Sequence, residues 1–132
     1  DARIVATVDA DYEAAIESGR LRRDLVAQLS ELTLRVPPLR EYAEDVPELL
    51  NYYVDRLVDA EGLTFRRFSV AAQNRLRNYP WPENVHELRN VVRRLLLSGS
   101  DEDISLEEVE AELSLTVLLE FLEMGLSRCK LL

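Results

Sequence analysis

The chain has 132 residues, a formal net charge of −9, 47% hydrophobic and 31% charged residues, and one cysteine, Cys129. Such a length and composition support a real core in one domain, or one domain plus a fragment. They exclude an internal disulfide, and the acidic balance argues against the bulk of the chain lying on phosphate backbones. No apolar run reaches membrane-spanning length. The start, DARIVATVDADYEAA, lacks the basic-then-apolar order of a signal peptide, and with a lone thiol this points to a reducing, cytoplasmic setting.

Taken in order, residues 3–8 (RIVATV) read as a short buried strand, apolar and β-branched. Residues 11–18 form a short helix ended by Gly19, and residues 20–29 a second, with Leu21, Leu25 and Leu29 on one stripe. Residues 32–36 (LTLRV) alternate as a strand until Pro37-Pro38 stops any regular element. Two strands are too few for a stable parallel sheet, so these elements read as a remnant of a larger α/β core.

Beyond residue 36 the pattern turns helical. Residues 43–58 place Val46, Leu49, Leu50, Tyr53, Val54 and Leu57 on one face, with Pro47 in the first turn and Glu61-Gly62 as the stop. Ser69 caps a helix through Asn78 with Ala72, Leu76 and Tyr79 inward. Pro80 and Pro82 hold the backbone extended around Trp81, a large apolar anchor. Asn84 is the expected cap of the next helix, which carries Val85, Leu88, Val91, Val92, Leu95 and Leu96 until Ser98-Gly99-Ser100. Ser105 and Glu108 form a capping box for a helix with Leu106, Val109 and Leu113 on its apolar face. The tail, residues 114–132, puts Leu115, Leu118, Leu119, Leu122 and Leu126 on one stripe, either packed on the preceding helices or available for self-association.

The chain's only histidine, His86, stands in the first turn of the helix after Asn84, where free N–H groups and the helix dipole favour an anion. The bland alternative for a lone first-turn histidine is a surface residue. The stretch YPWPENVHEL resembles the lid of bacterial sigma-54-dependent activators, the enhancer-binding branch of the AAA+ ATPases, whose phrase is Y-P-W-P-G-N-V-R-E-L. Three further stretches agree in order: RIVATVDADYEAA with the sensor I strand and its helix, GRLRRDLVAQL with the arginine-finger helix, and RVPPLREYAEDVPELL with the approach to the lid. Together they span residues 1–113, and within the branch the chain looks most like NtrC/NtrX response regulators.

The resemblance implies a mainly α fold. Residues 1–36 would be the C-terminal fragment of the AAA+ α/β core, 37–113 the helical lid, and 114–132 a C-terminal amphipathic helix. It also implies that the chain is a portion of a larger protein that binds ATP and Mg, forms homo-oligomers through neighbouring subunits, and acts on sigma-54 RNA polymerase. For the chain itself it implies no bound cofactor, no metal site, no direct DNA contact and no membrane. The ATP-binding positions carried over are Asp9, Arg22, Gln28, Asn84 and His86.

Several of these depart from the family pattern. Arg22 matches the first arginine finger, but the second falls on Gln28. The sensor I Thr-Asn pair is Val8-Asp9, which puts a negative charge where the family has an amide near the γ-phosphate. The sensor II arginine is His86, with no fixed charge and a shorter reach, and the glycine of P-G-N is Glu83. Every change weakens phosphate handling, while Trp81, Leu39, Val46 and Leu88 are kept. No G-x-x-x-x-G-K-[ST] phosphate loop and no Walker B strand end occur in the chain, so by itself it is expected to show no ATPase activity.

Two rivals remain at this level. One is a nucleotide-independent helical interaction or dimerisation module of a transcription regulator. The other is a DNA-binding pair formed by helices 69–79 and 84–97, with Arg75, Arg77, Arg89, Arg93 and Arg94 as its basic face. One His and one Cys, far apart, offer no triad or zinc set.

Overall fold

The computed structural model describes residues 2–129, without the side chains of residues 120 and 125–129, and divides into two compact units, Asp1–Val36 and Pro37–Leu132. In the first, α1 (Tyr12–Glu17) and α2 (Arg23–Leu29) are joined through Gly19, whose φ of 75° suits glycine. Arg23 reaches from α2 to Glu13 of α1 at 3.2 Å. The strands expected at 3–8 and 32–36 are not formed. Their apolar side chains are exposed, including Ile4, Val5, Leu32, Leu34 and Val36. A strand needs a neighbour for its N–H and C=O groups and a layer against its apolar face. Among the described residues neither segment has one.

The second unit is a helical bundle. A 3-10 turn at Leu39–Glu41 follows the double proline, and another at Ala43–Asp45 leads into α3 (Val46–Glu61). Pro47 lies in the first turn of α3, and Gly62, at φ 65°, closes it by donating its N–H to the Val58 carbonyl at 3.0 Å. Then come β1 (Arg67–Phe68), α4 (Val70–Arg77), α5 (Asn84–Ser98), β2 (Asp103–Ile104) and α6 (Leu106–Cys129). Helix α3 packs on α4 and α5, and α6 packs on the same two helices from elsewhere in the bundle. The core between them includes Leu50, Val54, Leu57, Leu76, Trp81, Leu88, Val91, Val92, Leu95 and Val109.

Strands β1 and β2 are parallel, with Arg67 opposite Asp103 and Phe68 opposite Ile104. Each strand ends in a buried apolar residue followed by a serine that caps a helix. Ser69 Oγ accepts the Ala72 N–H at 3.2 Å. Ser105 Oγ accepts the Glu108 N–H at 3.2 Å, while Glu108 Oε2 accepts the Ser105 N–H at 2.9 Å. Helices α4 and α6 thus start side by side. The pairing brings together residues 36 apart in sequence, which local patterning does not reveal.

Behind this strand pair lies a buried arginine. Arg66, 1% exposed, donates to the carbonyls of Asp101 (2.5 Å), Leu95 (2.7 Å) and Asp103 (3.3 Å) and to Glu108 Oε1 (2.8 Å). It ties the end of α5, the loop after it and the start of α6 to one guanidinium. Helix α6 then runs unbroken past Leu113 as far as Cys129. The side chains of Leu126 and Cys129 lie outside the described residues.

Candidate functional site: the entrance to helix α5

The turn from α4 into α5 is more sharply folded than two prolines alone predict. Trp81 is not extended: its φ is 46°, in the left-handed region, and Asn84 follows at φ 55°. A proline disfavours the right-handed helical region for the residue before it, so Pro82 closes one compact option to Trp81. The left-handed geometry costs about 1–3 kcal/mol for a non-glycine residue. Full burial of a tryptophan removes about 150–250 Å² from water, worth about 4–6 kcal/mol. Burial wins. Trp81 is 0% exposed, donates Nε1–H to the Leu76 carbonyl at 2.9 Å, and meets the Tyr79 ring edge-on at 4.9 Å.

Asn84 is not the cap expected of it. It is already the first residue of α5, Glu83 precedes it without a side-chain capping bond, and Asn84 N–H donates to the Trp81 carbonyl at 2.9 Å. Its Oδ1 instead accepts the N–H of Leu39 at 2.8 Å. The asparagine tolerates the left-handed conformation and stitches the start of α5 to the turn after Pro37-Pro38. Two motifs 45 residues apart in sequence are therefore one structural unit.

Glu87 completes the scaffold, and the sequence reading missed it. Although charged, it is 5% exposed. Its Oε1 accepts the Tyr79 hydroxyl and its Oε2 the Glu83 N–H, both at 3.1 Å. A glutamate reaching back to a helix-entrance amide is the second half of a capping box shifted by one residue, which is the signal that could have found it.

On this scaffold His86 is exposed. Its Nε2 lies 3.3 Å from Asn90 Nδ2, one turn further along α5. In the other unit, Arg22 is exposed at the start of α2, and its fork is occupied by Asp24, with Nε–Oδ1 at 3.0 Å and Nη2–Oδ2 at 2.5 Å. Gln28 is exposed on α2, and Asp9 is exposed in the irregular segment before α1. The structure thus brings Asn84, His86 and Glu87 together on one helix entrance. Asp9, Arg22 and Gln28 belong to the separate first unit.

The arginines of the DNA-binding alternative are mostly committed within the bundle. Arg75 pairs with Glu110 at 2.5 Å, Arg77 with Glu44 at 3.4 Å and Arg93 with Glu61 at 2.7 Å, while Arg94 binds both Glu112 and the Thr116 hydroxyl. Among the described residues no cluster of three or more His, Cys, Asp or Glu could hold a metal ion, and no helix is long and apolar enough to cross a membrane.

Comparison with known proteins agrees with this architecture. Residues 40–117 match the AAA+ ATPase lid domain family. The DNA-binding transcriptional regulator NtrC of Azospirillum brasilense is 44% identical over 114 residues, covering 86% of this chain and 24% of that protein. The nitrogen assimilation regulatory protein NtrX of Azorhizobium caulinodans is 41% identical over 104 residues, covering 78% of this chain and 23% of the relative. The crystal structure of NtrX from Brucella abortus in complex with ATP superposes with a TM-score of 0.62 at 30% identity, over 74% of this chain and 24% of that one. The chain spans about a quarter of the length of the curated relatives it matches. With the lid architecture and the tryptophan-anchored helix entrance in place, and with its similarity to part of NtrC and NtrX, the chain belongs to the AAA+ ATPase lid domain family.

Proposed function

We propose that this chain supplies the lid and intersubunit elements of the nucleotide site of a sigma-54-dependent transcription regulator, and that this site is degenerate, with weak or no ATP hydrolysis. The observation that carries the reading is the position of His86. It is exposed in the first turn of a helix whose start is held by Trp81, Asn84 and Glu87. A rigid entrance presenting one polar side chain is how a lid addresses a phosphate. Crystal structures of NtrX from Brucella abortus in complex with ATP and with ADP support a nucleotide role for the full-length protein.

The residues present fit a triphosphate poorly. Of the positions carried over from the family only Arg22 is cationic, and Asp24 already fills its fork. His86 turns its Nε2 toward Asn90, and Asp9 and Glu83 add negative charge. Loss of an arginine finger costs about 10³- to 10⁵-fold in rate in related phosphoryl-transfer enzymes. Neighbouring subunits of the same protein and sigma-54 RNA polymerase are the partners this reading assigns to the whole protein, in the cytoplasm, with Mg accompanying the nucleotide. Direct DNA contact is not assigned to this chain, because four of the five α4 and α5 arginines pair with carboxylates of the bundle.

The test is ATP turnover by the full-length protein and by its Gln28→Arg/His86→Arg variant. Slow wild-type hydrolysis that rises in the double variant supports the proposal, and robust wild-type hydrolysis refutes it.

A further inference from the structure

Helix α3 and the residue before it carry a narrow stripe that the bundle leaves unused. Asp45, Glu48, Tyr52, Asp55 and Asp59 fall within about 80° of the helix circumference, at about 100° per residue. All five are exposed, on the side opposite the buried Val46, Leu50, Val54 and Leu57. Their spacing alternates three and four residues, the pattern along which a second helix lies on a first.

Elsewhere in the bundle carboxylates find cations: Glu44 with Arg77, Glu61 with Arg93 and Glu110 with Arg75. By contrast, Asp45, Glu48, Asp55 and Asp59 hold no ion pair among the described residues. Asp45 directly precedes α3, yet its carboxylate makes no capping bond. At this end of the stripe the surface dips into an open cleft of about 360 Å³, lined by Asp45, Glu48, Leu49 and Tyr52. Half-buried Leu49 and the Tyr52 ring offer apolar surface, and the two carboxylates offer charge. That combination suits a long cationic side chain, whose stem packs on the apolar atoms while its head meets the carboxylates. The Tyr52 ring already takes a guanidinium from within the chain: Arg56 Cζ lies 5.9 Å from its centroid. A planar guanidinium stacks on an aromatic face and grips a carboxylate with two bonds, so the cleft favours arginine over lysine.

We propose that the outward stripe of α3 is a docking surface for an arginine-bearing helix of a partner protein, with one arginine seated in the cleft beside Tyr52. Charge selects this occupant, since a second copy of the chain, at −9, carries the wrong sign. The surface is separate from the α5 entrance and uses neither Arg22 nor His86, so it stands independently of the nucleotide reading. Exposed ion pairs are individually weak and screened by salt, so the contact weakens as salt rises. The cleft, more than the total charge, sets the register.

Amide NMR titration of the 132-residue chain tests the proposal. The probe is an alanine-based helical peptide with arginines at alternating three- and four-residue spacing. Saturable, salt-sensitive binding is expected, with shifts concentrated at residues 45–59. Asp45→Asn/Glu48→Gln is expected to weaken binding about fivefold. Tyr52→Leu leaves the charge unchanged and is expected to weaken it about two- to fivefold. Asp101→Asn/Glu107→Gln removes the same charge from another exposed acidic stretch and is expected to leave binding nearly unchanged. All these side chains are exposed, so each variant should keep its helical circular dichroism. Absence of saturable binding overturns the proposal, as does equal binding of the same arginines in scrambled order. Equal weakening by the Asp101/Glu107 variant, or an unweakened Tyr52→Leu, overturns it too, because either would reduce the contact to net charge. Shifts at residues 45–59 on concentrating the chain alone would assign the face to a second copy and likewise overturn it.

Discussion

Arg66 Nη2 stands 2.8 Å from Glu108 Oε1, and the same guanidinium holds three backbone carbonyls drawn from the end of α5 and from the segment between it and α6. The pair joins a residue just before β1 to the capping box of α6. It fixes where α6 begins, and so where the outward leucines of that helix are presented. A buried guanidinium is costly unless its donors are used, and here the three carbonyls and the carboxylate take four of its five N–H groups.

Arg66→Leu removes a donor set that satisfies the Asp101, Leu95 and Asp103 carbonyls. It is expected to destabilise the bundle by about 3–5 kcal/mol, read as a fall in the urea midpoint. A loss below about 1 kcal/mol would show the network to be incidental.

Gly99 is needed for the same reason. A Cβ there would fall 2.2 Å from Arg66 Nη1 and 2.4 Å from Cζ, and the guanidinium is pinned and cannot swing aside. Gly99→Ala is expected to cost about 1–3 kcal/mol through overpacking. In the Arg66→Leu background the same change should cost much less, a non-additivity that a double-mutant cycle measures directly.

Glu108 gives the bundle a pH dependence. The Ser105 backbone N–H is the main cause holding its carboxyl below the ordinary value of 4.5, with Arg66 assisting against the effect of burial. A group whose folded value is depressed contributes stability that is present above the unfolded value and lost as pH falls through the folded one. Stability is therefore expected to decline as pH drops below about 4.5. Glu108→Gln, which cannot titrate, should start less stable at pH 7 and show a shallower acid limb in urea titrations at several pH values.

At the α5 entrance, Asn84→Ala loses the bond to Leu39 N–H and places a Cβ-bearing residue without a polar side chain at φ 55°. The expected cost is about 1–3 kcal/mol. Asn84→Gly keeps the conformation and loses only the bond, so it should be the milder of the two. Equal thermal midpoints for both variants would show that the backbone conformation contributes nothing.

His86→Arg tests whether the position is free for function. The side chain is exposed and its one hydrogen bond among the described residues is with Asn90, so stability should change by no more than about 0.5 kcal/mol. A large loss of stability would mean that the imidazole is structural, which would undermine its proposed place at a nucleotide.

The helices of the bundle, their apolar faces, the Ser69 cap and the Ser105–Glu108 capping box were legible in the sequence, because each is local: a 3.6-residue period or a bond spanning a few residues. The family was legible too, since four ordered stretches carry it. The strands at 3–8 and 32–36 were misread because an apolar β-branched run becomes a strand only when a neighbour pairs with it. The fold instead pairs Arg67–Phe68 with Asp103–Ile104, runs too short to announce themselves. Asn84, Glu87 and Arg66 took their roles from partners brought close by packing: Leu39 for Asn84, the Tyr79 hydroxyl for Glu87, and the carbonyls around residues 95–103 for Arg66. The tail divides in the same way. Its leucine spacing is written in the sequence, but which side of α6 meets the bundle was decided by Val109, Leu113 and Thr116 packing inward, because a helix can bury only the face its neighbours reach.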